Sequence, residues 1–174
     1  RVLSSFEDEG EGTLITVEED TKMEQPIISG IAFNRDEAKL TVLGVPDRPG
    51  IAYQILGPIA ENNIDVDMII QNVGHDGTTD FSFTVNRGEF AKAHSILEGV
   101  KAKLGAREIT GDNKICKVSA VGVGMSSHPG VASKMFKALA DEGINIQMIS
   151  TSEIKISVVL DEKYLELAVR VLHR

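Results

Sequence analysis

Two turns place proline, glycine and polar residues directly ahead of a helical pattern: Pro46-Asp47-Arg48-Pro49-Gly50 and Ser126-Ser127-His128-Pro129-Gly130. A proline in the first helical turn loses nothing by lacking an N–H, and the free N–H groups of that turn point off the helix end, where a carboxylate fits. Asp47 offers the opposite charge beside the same spot, suited to an ammonium. An amino acid needs both halves. The alternative is that Asp47 and Ser127 are plain N-caps. Asp67 and Gln71 stand four residues apart on the extended segment after the first helix, hence on one face of a strand. The equivalent later positions are Gln147 and Thr151, so two pockets of one design and different chemistry are expected, unless these are simply solvent-facing sheet residues.

Other chemistries find little support. Gly122-Val123-Gly124 lacks the third glycine of a dinucleotide fingerprint, and no GxxxxGK[ST] occurs. His75, His94, His128 and His173 are scattered without a ligand spacing, so no metal site is expected, and no Ser-His-Asp set can be argued. Cys116, the one cysteine, sits in an apolar run where a buried, inert thiol is the default; it excludes an internal disulfide and fits a reducing compartment. The net charge of −8 is concentrated in residues 1 to 24, where eight acids face only Arg1 and Lys22. That leaves −2 on the remaining 150 residues, with no basic stripe for nucleic acid. Residues 1–25 therefore read as an acidic linker or arm, with one short strand available at Thr13 to Val17. No apolar run reaches membrane-spanning length, and no leader pattern is present. A cytoplasmic chain, or a piece of a longer one, is expected.

The elements that position the two turns repeat with a period near eighty. Lys39 to Asn72 and Lys117 to Ser152 are each a strand, a Pro-Gly turn, an amphipathic helix and a second strand. Ile51, Ile55, Leu56, Ile59 and Ala60 mark one face of the first helix; Val131, Met135, Phe136, Leu139 and Ala140 mark that of the second. Asn62-Asn63 and Glu142-Gly143 stop them. Phe81, Phe83 and Val85 alternate with polar residues after a hairpin turn at Gly74 to Gly77, and Ile154 to Leu160 alternate less strictly. A second helix follows in each copy, on Phe90, Ala93, Leu97, Val100 and Leu104, and on Leu165, Ala168, Val169 and Leu172.

The first copy has a fourth strand at Ala106 to Gly111, completing βαββαβ; the second runs out of chain. Residues 27 to 33, ahead of a turn at Asn34 to Glu37, are expected to supply its missing strand. The fold class is thus α+β: two ferredoxin-like βαββαβ domains with antiparallel sheets and helices on one face. The first domain (38–112) is inserted in the second (26–34 plus 113–174). The two are expected to pair side by side through their sheets.

At these residues the chain resembles the regulatory region, or separate beta subunit, of bacterial aspartate kinases, a tandem pair of ACT domains. The resemblance runs through SSFEDEGEGTLIT, EAKLTVLGVPDRPGIA, DMIIQNV, GTTDFSF, KVSAVGVGM, SHPGVASKMF and INIQMISTSEIKISVV. It implies feedback inhibition of aspartate phosphorylation by lysine and threonine. The kinase domain, with its ATP and Mg, lies outside this chain, which has no catalytic residues of its own and needs no cofactor. The partners implied are threonine, lysine, the catalytic domain or subunit, and a second copy in a homodimer.

For threonine, the resemblance implies Asp47, Gly50, Ala52, Asp67 and Gln71, facing Asn145 and Ile146 of the other domain. Pseudo-symmetry then makes loop 126–132 meet Asp65 and Val66, with His128, Val131, Ala132, Ser152 and Glu153 lining a lysine pocket. There Asp65 and Glu153 offer carboxylates for the second ammonium, with Asp67 assisting. Two other readings stay open: a free-standing amino-acid sensor acting on another partner, and a small ferredoxin-like enzyme such as an acylphosphatase, for which Arg48 would be the lone cradle residue.

Overall fold

The computed structural model describes residues 28–123, 125 and 129–173. The acidic arm, its expected strand at Thr13 to Val17, Pro26, and the turn residues Ser126, Ser127 and His128 lie outside them. Ten elements follow one another: β1 (Ile28–Pro46), α1 (Ile51–Glu61), β2 (Val66–Val73), β3 (Thr78–Val85), α2 (Phe90–Leu104), β4 (Glu108–Gly122), α3 (Pro129–Asp141), β5 (Met148–Thr151), β6 (Lys155–Asp161) and α4 (Leu165–Leu172). The helical stripes bury as their spacing requires: Ile51, Ile55 and Ile59 on α1, Ala93, Leu97 and Leu104 on α2, Leu165 and Ala168 on α4. Asn63 (φ 55) and Gly143 (φ 69) take left-handed conformations just past α1 and α3, ending both helices. No helix of the described residues is long and apolar enough to cross a membrane.

The strands form one antiparallel six-stranded sheet in the order β2-β3-β1-β4-β6-β5. Two strands are much longer than expected. β1 spans 19 residues and β4 spans 15, and they pair along most of that length, Ile28 opposite Gly122 and Leu43 opposite Glu108. The turn expected at Asn34 to Glu37 is not a turn. Register irregularities fall there, between Asn34 and Glu37 and between Glu37 and Lys39, while the Asp36 amide donates to Asn34 Oδ1 at 3.0 Å. The local signal for a tight Asx conformation is satisfied inside the strand as a bulge. Nor does the strand beginning near Ala106 stop at Gly111: it continues unbroken into the second repeat.

These irregularities have a consequence for the core. Along β1, Ile31 and Leu40 both pack toward helices although their positions differ in parity; along β4, Ile109 and Cys116 do likewise. A one-residue slip flips every later side chain to the other face, so the bulges bring both halves' apolar faces to the same side. Helices α1 and α2 cover β1, β3 and Ile109 of one half, whereas α3 and α4 cover β4, β6 and Ile31 of the other. The halves are therefore joined end to end along two continuous strands within the chain, not laid side by side.

Between them, on the face opposite the helices, Met68, Ile115, Met148 and Val159 form a small third cluster. Met68 and Met148 are equivalent positions of the repeat. On the same junction Arg87 and Glu162, likewise equivalent, pair at 2.8 Å, and Arg87 also donates to the Ile115 carbonyl at 2.8 Å.

Gly111 carries a test of this packing. A Cβ there would approach the Phe90 ring to 2.5 Å and Leu40 Cδ2 to 3.2 Å, so α2 lies on β4 only because the side chain is absent. Gly111→Ala is expected to destabilise the chain by about 1–3 kcal/mol, read as a lowered urea midpoint, through displacement of Phe90.

Candidate functional site

The first turn builds half a site at the outer end of the first half. Asp47 leaves β1, and its amide donates to the Gly77 carbonyl at 2.9 Å, tying the turn to the β2–β3 hairpin. Pro49 lies outside α1 rather than in its first turn. Gly50 occupies the N-cap position with φ 89, a left-handed conformation, and no side chain caps the helix. Asp47 is thus not an N-cap, and the first-turn N–H groups of Ala52 and Tyr53 have no acceptor within the helix. A Cβ at Gly50 would meet nothing within 4 Å, so conformation and not space requires glycine there. Arg48 reaches along the helix to Gln54 Oε1 at 3.1 Å, and Asp47 and Gly50 are exposed. Gln71 stands opposite Phe81, two strand positions from the hairpin side of this end.

Asp67 does not share a face with Gln71. The β2–β3 register shifts between Val66 and Ile69, which breaks the alternation. Gln71 pairs with Phe81, whose side chain belongs to the core under the helices, whereas the Asp67 carboxylate meets Lys117 Nζ on the opposite face. Lys117 Nζ also lies 3.3 Å from Glu37 Oε1, which in turn accepts from Asn34 Nδ2 at 3.0 Å. The Glu37 side chain is 3% exposed and its Oε2 is buried without a partner. Across the junction, Lys39 Nζ donates to Gln147 Oε1 at 2.6 Å. Asp65 and Val66 precede Asp67, and Asn145 and Ile146 precede Gln147, so both segments lie at the junction; Asp65 and Asn145 are exposed.

At the outer end of the second half, Pro129 opens α3, Val131 is buried and Ala132 is half-buried. Val131 lines an apolar groove of about 310 Å³ with Ile31, Ala120, Met135 and Leu172. Ser152 closes the β5–β6 turn, its amide donating to the Lys155 carbonyl at 2.8 Å, and the Glu153 carbonyl accepts from the Met125 amide at 3.0 Å. His128 lies outside the described residues.

The structure thus brings the expected residues together in three groups. Asp47, Gly50, Ala52 and Gln71 share one outer end; Val131, Ala132, Ser152 and Glu153 share the other; Asp65, Val66, Asp67, Asn145 and Ile146 lie at the junction. Seven residue steps along the strand lead from Lys39, bonded to Gln147, to Pro46, which is about 23 Å. Within one chain, then, loop 47–52 does not reach Asn145 and Ile146, nor does loop 129–132 reach Asp65 and Val66. Sequence reading missed Glu37, Lys39 and Lys117. The signal for the two lysines was their equivalence in the repeat, each a charged residue opening an otherwise apolar strand.

The ACT domain family matches this chain twice, at residues 39–102 and 118–174. An aspartate kinase of Pseudomonas putida is 72% identical over 173 residues, covering 99% of this chain and 42% of the relative. The chain thus spans about two fifths of that relative's length. Among solved structures, one of aspartokinase alpha and beta subunits is 62% identical with a TM-score of 0.80, covering 84% of this chain and 97% of that one. The ligand-free regulatory subunit of aspartate kinase from Thermus thermophilus is 43% identical with a TM-score of 0.79, covering 84% and 96%.

The junction cluster has a defined electrostatic character. Burial raises the Glu37 carboxyl above its ordinary value, with the neighbouring Asp67 carboxylate acting the same way and the Lys117 charge only partly opposing. Burial is the largest single influence on Asp67 and Lys117, but their mutual hydrogen bond and the surrounding charges together outweigh it, so Asp67 titrates low and Lys117 high. As pH rises past the unfolded value of Glu37, the unfolded chain releases its proton first, so this residue's contribution is present at low pH and lost on the way up. Asp67 has the opposite sign: its contribution is lost as pH falls through its depressed value, and its partial exposure keeps it below about 1 kcal/mol. Glu37→Gln is therefore expected to gain stability relative to the parent chain as pH rises from about 4 to 7, measured by urea unfolding at each pH. A constant difference across that range would contradict the assignment.

Proposed function

This chain belongs to the ACT-domain family, in the tandem form of aspartokinase regulatory subunits, and we propose that it binds threonine and lysine and reports their occupancy to a kinase domain as feedback inhibition. Residues 38–112 are taken as one ACT domain and residues 26–34 with 113–174 as the other. The pairing of Ile28 to Asn34 with Lys117 to Gly122 supports that division. The observation that carries the reading is the uncapped start of α1: free N–H groups at Ala52 and Tyr53 for a carboxylate, with Asp47 beside them for an ammonium. Gln71 supplies a donor and an acceptor for the hydroxyl of threonine. At the other outer end, Glu153 is the carboxylate that suits the second ammonium of lysine.

Each outer end is half a pocket, because the matching junction segments stand about 23 Å away along β1 and about 17 Å away along β4. A second copy of the chain completes them by laying its Asn145 and Ile146, or its Asp65 and Val66, against these ends. The sheet has room for such a neighbour. Among the described residues its edge strands β2 and β5 have no strand on their outer sides and expose Ile69, Val73 and Ile149. A ligand bridging two chains then favours one arrangement of the pair, and differential affinity on the order of 1–3 kcal/mol is sufficient for regulation.

Titration calorimetry of the chain with threonine, with lysine, and with each in the presence of the other tests this. Threonine is expected to bind, and Gln71→Ala to weaken it by about tenfold, the worth of one hydrogen bond, with lysine binding retained. Absence of binding by both amino acids to the dimeric chain would reject the reading.

A further inference from the structure

The two lysines that sequence reading overlooked occupy equivalent places. Lys39 and Lys117 each open the central strand of one repeat, and each reaches across the junction to the residue that follows the other half's junction segment. Lys39 holds Gln147, immediately after Asn145 and Ile146; Lys117 holds Asp67, immediately after Asp65 and Val66. We infer that Lys39 and Lys117 are positioning residues, each holding in register the segment with which the opposite half of the molecule contacts an effector. The inference rests on the proposed reading of those segments as the second walls of the two pockets.

Three observations carry it. First, the lysine head groups sit in the protein and not in solvent: the Lys117 side chain is 15% exposed, and Lys39 is half-buried. Side chains that give up this much rotamer freedom and hydration do so for a fixed partner. Second, although Val66 and Ile146 pack against their cores, the polar residue of each held segment stands outside the strands. Asn145 is exposed and belongs to no strand, and β5 begins only at Met148. Asp65 is likewise exposed, and the register of β2 is broken immediately after Val66. Third, the two tethers are unequal. Lys117 bridges two carboxylates, Asp67 and Glu37, whereas Lys39 meets a neutral amide. A charge-assisted bond is roughly twice as strong as one between neutral groups. Both tethers have a charged donor, so the difference lies in the acceptor, and the Asp65–Val66 segment is the more firmly held.

Hydrogen exchange in the full chain reads the tethers without any ligand. The Gln147 amide donates to the Val159 carbonyl at 2.8 Å, and the Met68 amide donates to Thr84 Oγ1 at 3.0 Å; each reports its own segment. Lys39→Met is expected to speed exchange at Gln147 about tenfold and leave Met68 unchanged, and Lys117→Met is expected to do the reverse. Gln147→Leu cuts the first tether from its other side, and its effect on Asn145 and Ile146 is expected to match that of Lys39→Met. Lys39→Arg, which keeps a donor, restores protection.

Calorimetry with L-threonine and L-lysine then reads the consequence. Lys39→Met weakens threonine about tenfold and lysine less than twofold, and Lys117→Met weakens lysine selectively. Loosening of both segments by either variant, or equal loss of both ligands, reduces the lysines to general stabilising contacts and overturns the inference. If the parent chain binds neither amino acid, the pocket assignment fails, and the positioning role stands or falls on exchange alone.

Discussion

The pairing of β1 with β4 is the constraint on which the rest of the molecule depends. Most tandem domains meet through a linker and an interface, and their relative motion is set by how much surface that interface buries. Here the backbone ladder itself crosses the boundary, from Ile28 opposite Gly122 to Leu43 opposite Glu108. Neither half can pivot on a loop without breaking strand hydrogen bonds. Relative movement is confined to twist and shear about the irregularities near Asn34, Glu37 and Lys39, where the ladder is already interrupted. A ligand at either end, as proposed, would therefore act on a stiff body with one interrupted waist.

That waist also divides the chemistry. Toward the helices the two halves keep separate apolar cores, one under α1 and α2 and one under α3 and α4. On the opposite face they share a small apolar cluster ringed by Glu37, Lys39, Asp67, Lys117 and Gln147. A buried ion pair adds little net stability, because desolvation offsets most of the attraction. Its effect here is geometric: a half-rotated junction would leave the Glu37 carboxylate and the Lys117 ammonium without each other. Arg87 and Glu162, meeting from equivalent positions, fasten the junction where the second helix of each half begins.

Because the junction and the outer ends are so far apart, the candidate pockets are divided between surfaces. The turn before α1 offers amide donors and a carboxylate but no opposing wall, and the segments suited to be that wall lie at the waist. Regulation by a small ligand follows readily from such a division. A site completed only when two chains align couples occupancy to quaternary arrangement without any need for a large change inside either chain.

Much of this was legible in the sequence, for reasons that are local. Apolar residues three and four apart placed Ile51, Ile55 and Ile59 inside; Asn63 and Gly143 marked helix ends through their tolerance of left-handed backbone; alternation set Phe81, Phe83 and Val85 on one face. The repeat disclosed two copies of one unit, and the two Pro-Gly turns pointed to the helix start as the place for a charged ligand. Only the tertiary structure decided register. Whether Asn34 to Glu37 turned or bulged, which way Asp67 faced, and that Lys39 would find Gln147 108 residues later all depend on cross-strand pairing, where a one-residue slip reverses every side chain. Local propensity carries no information about such a slip. It is settled by which pairing lets both halves bury their apolar faces on one side of a single sheet.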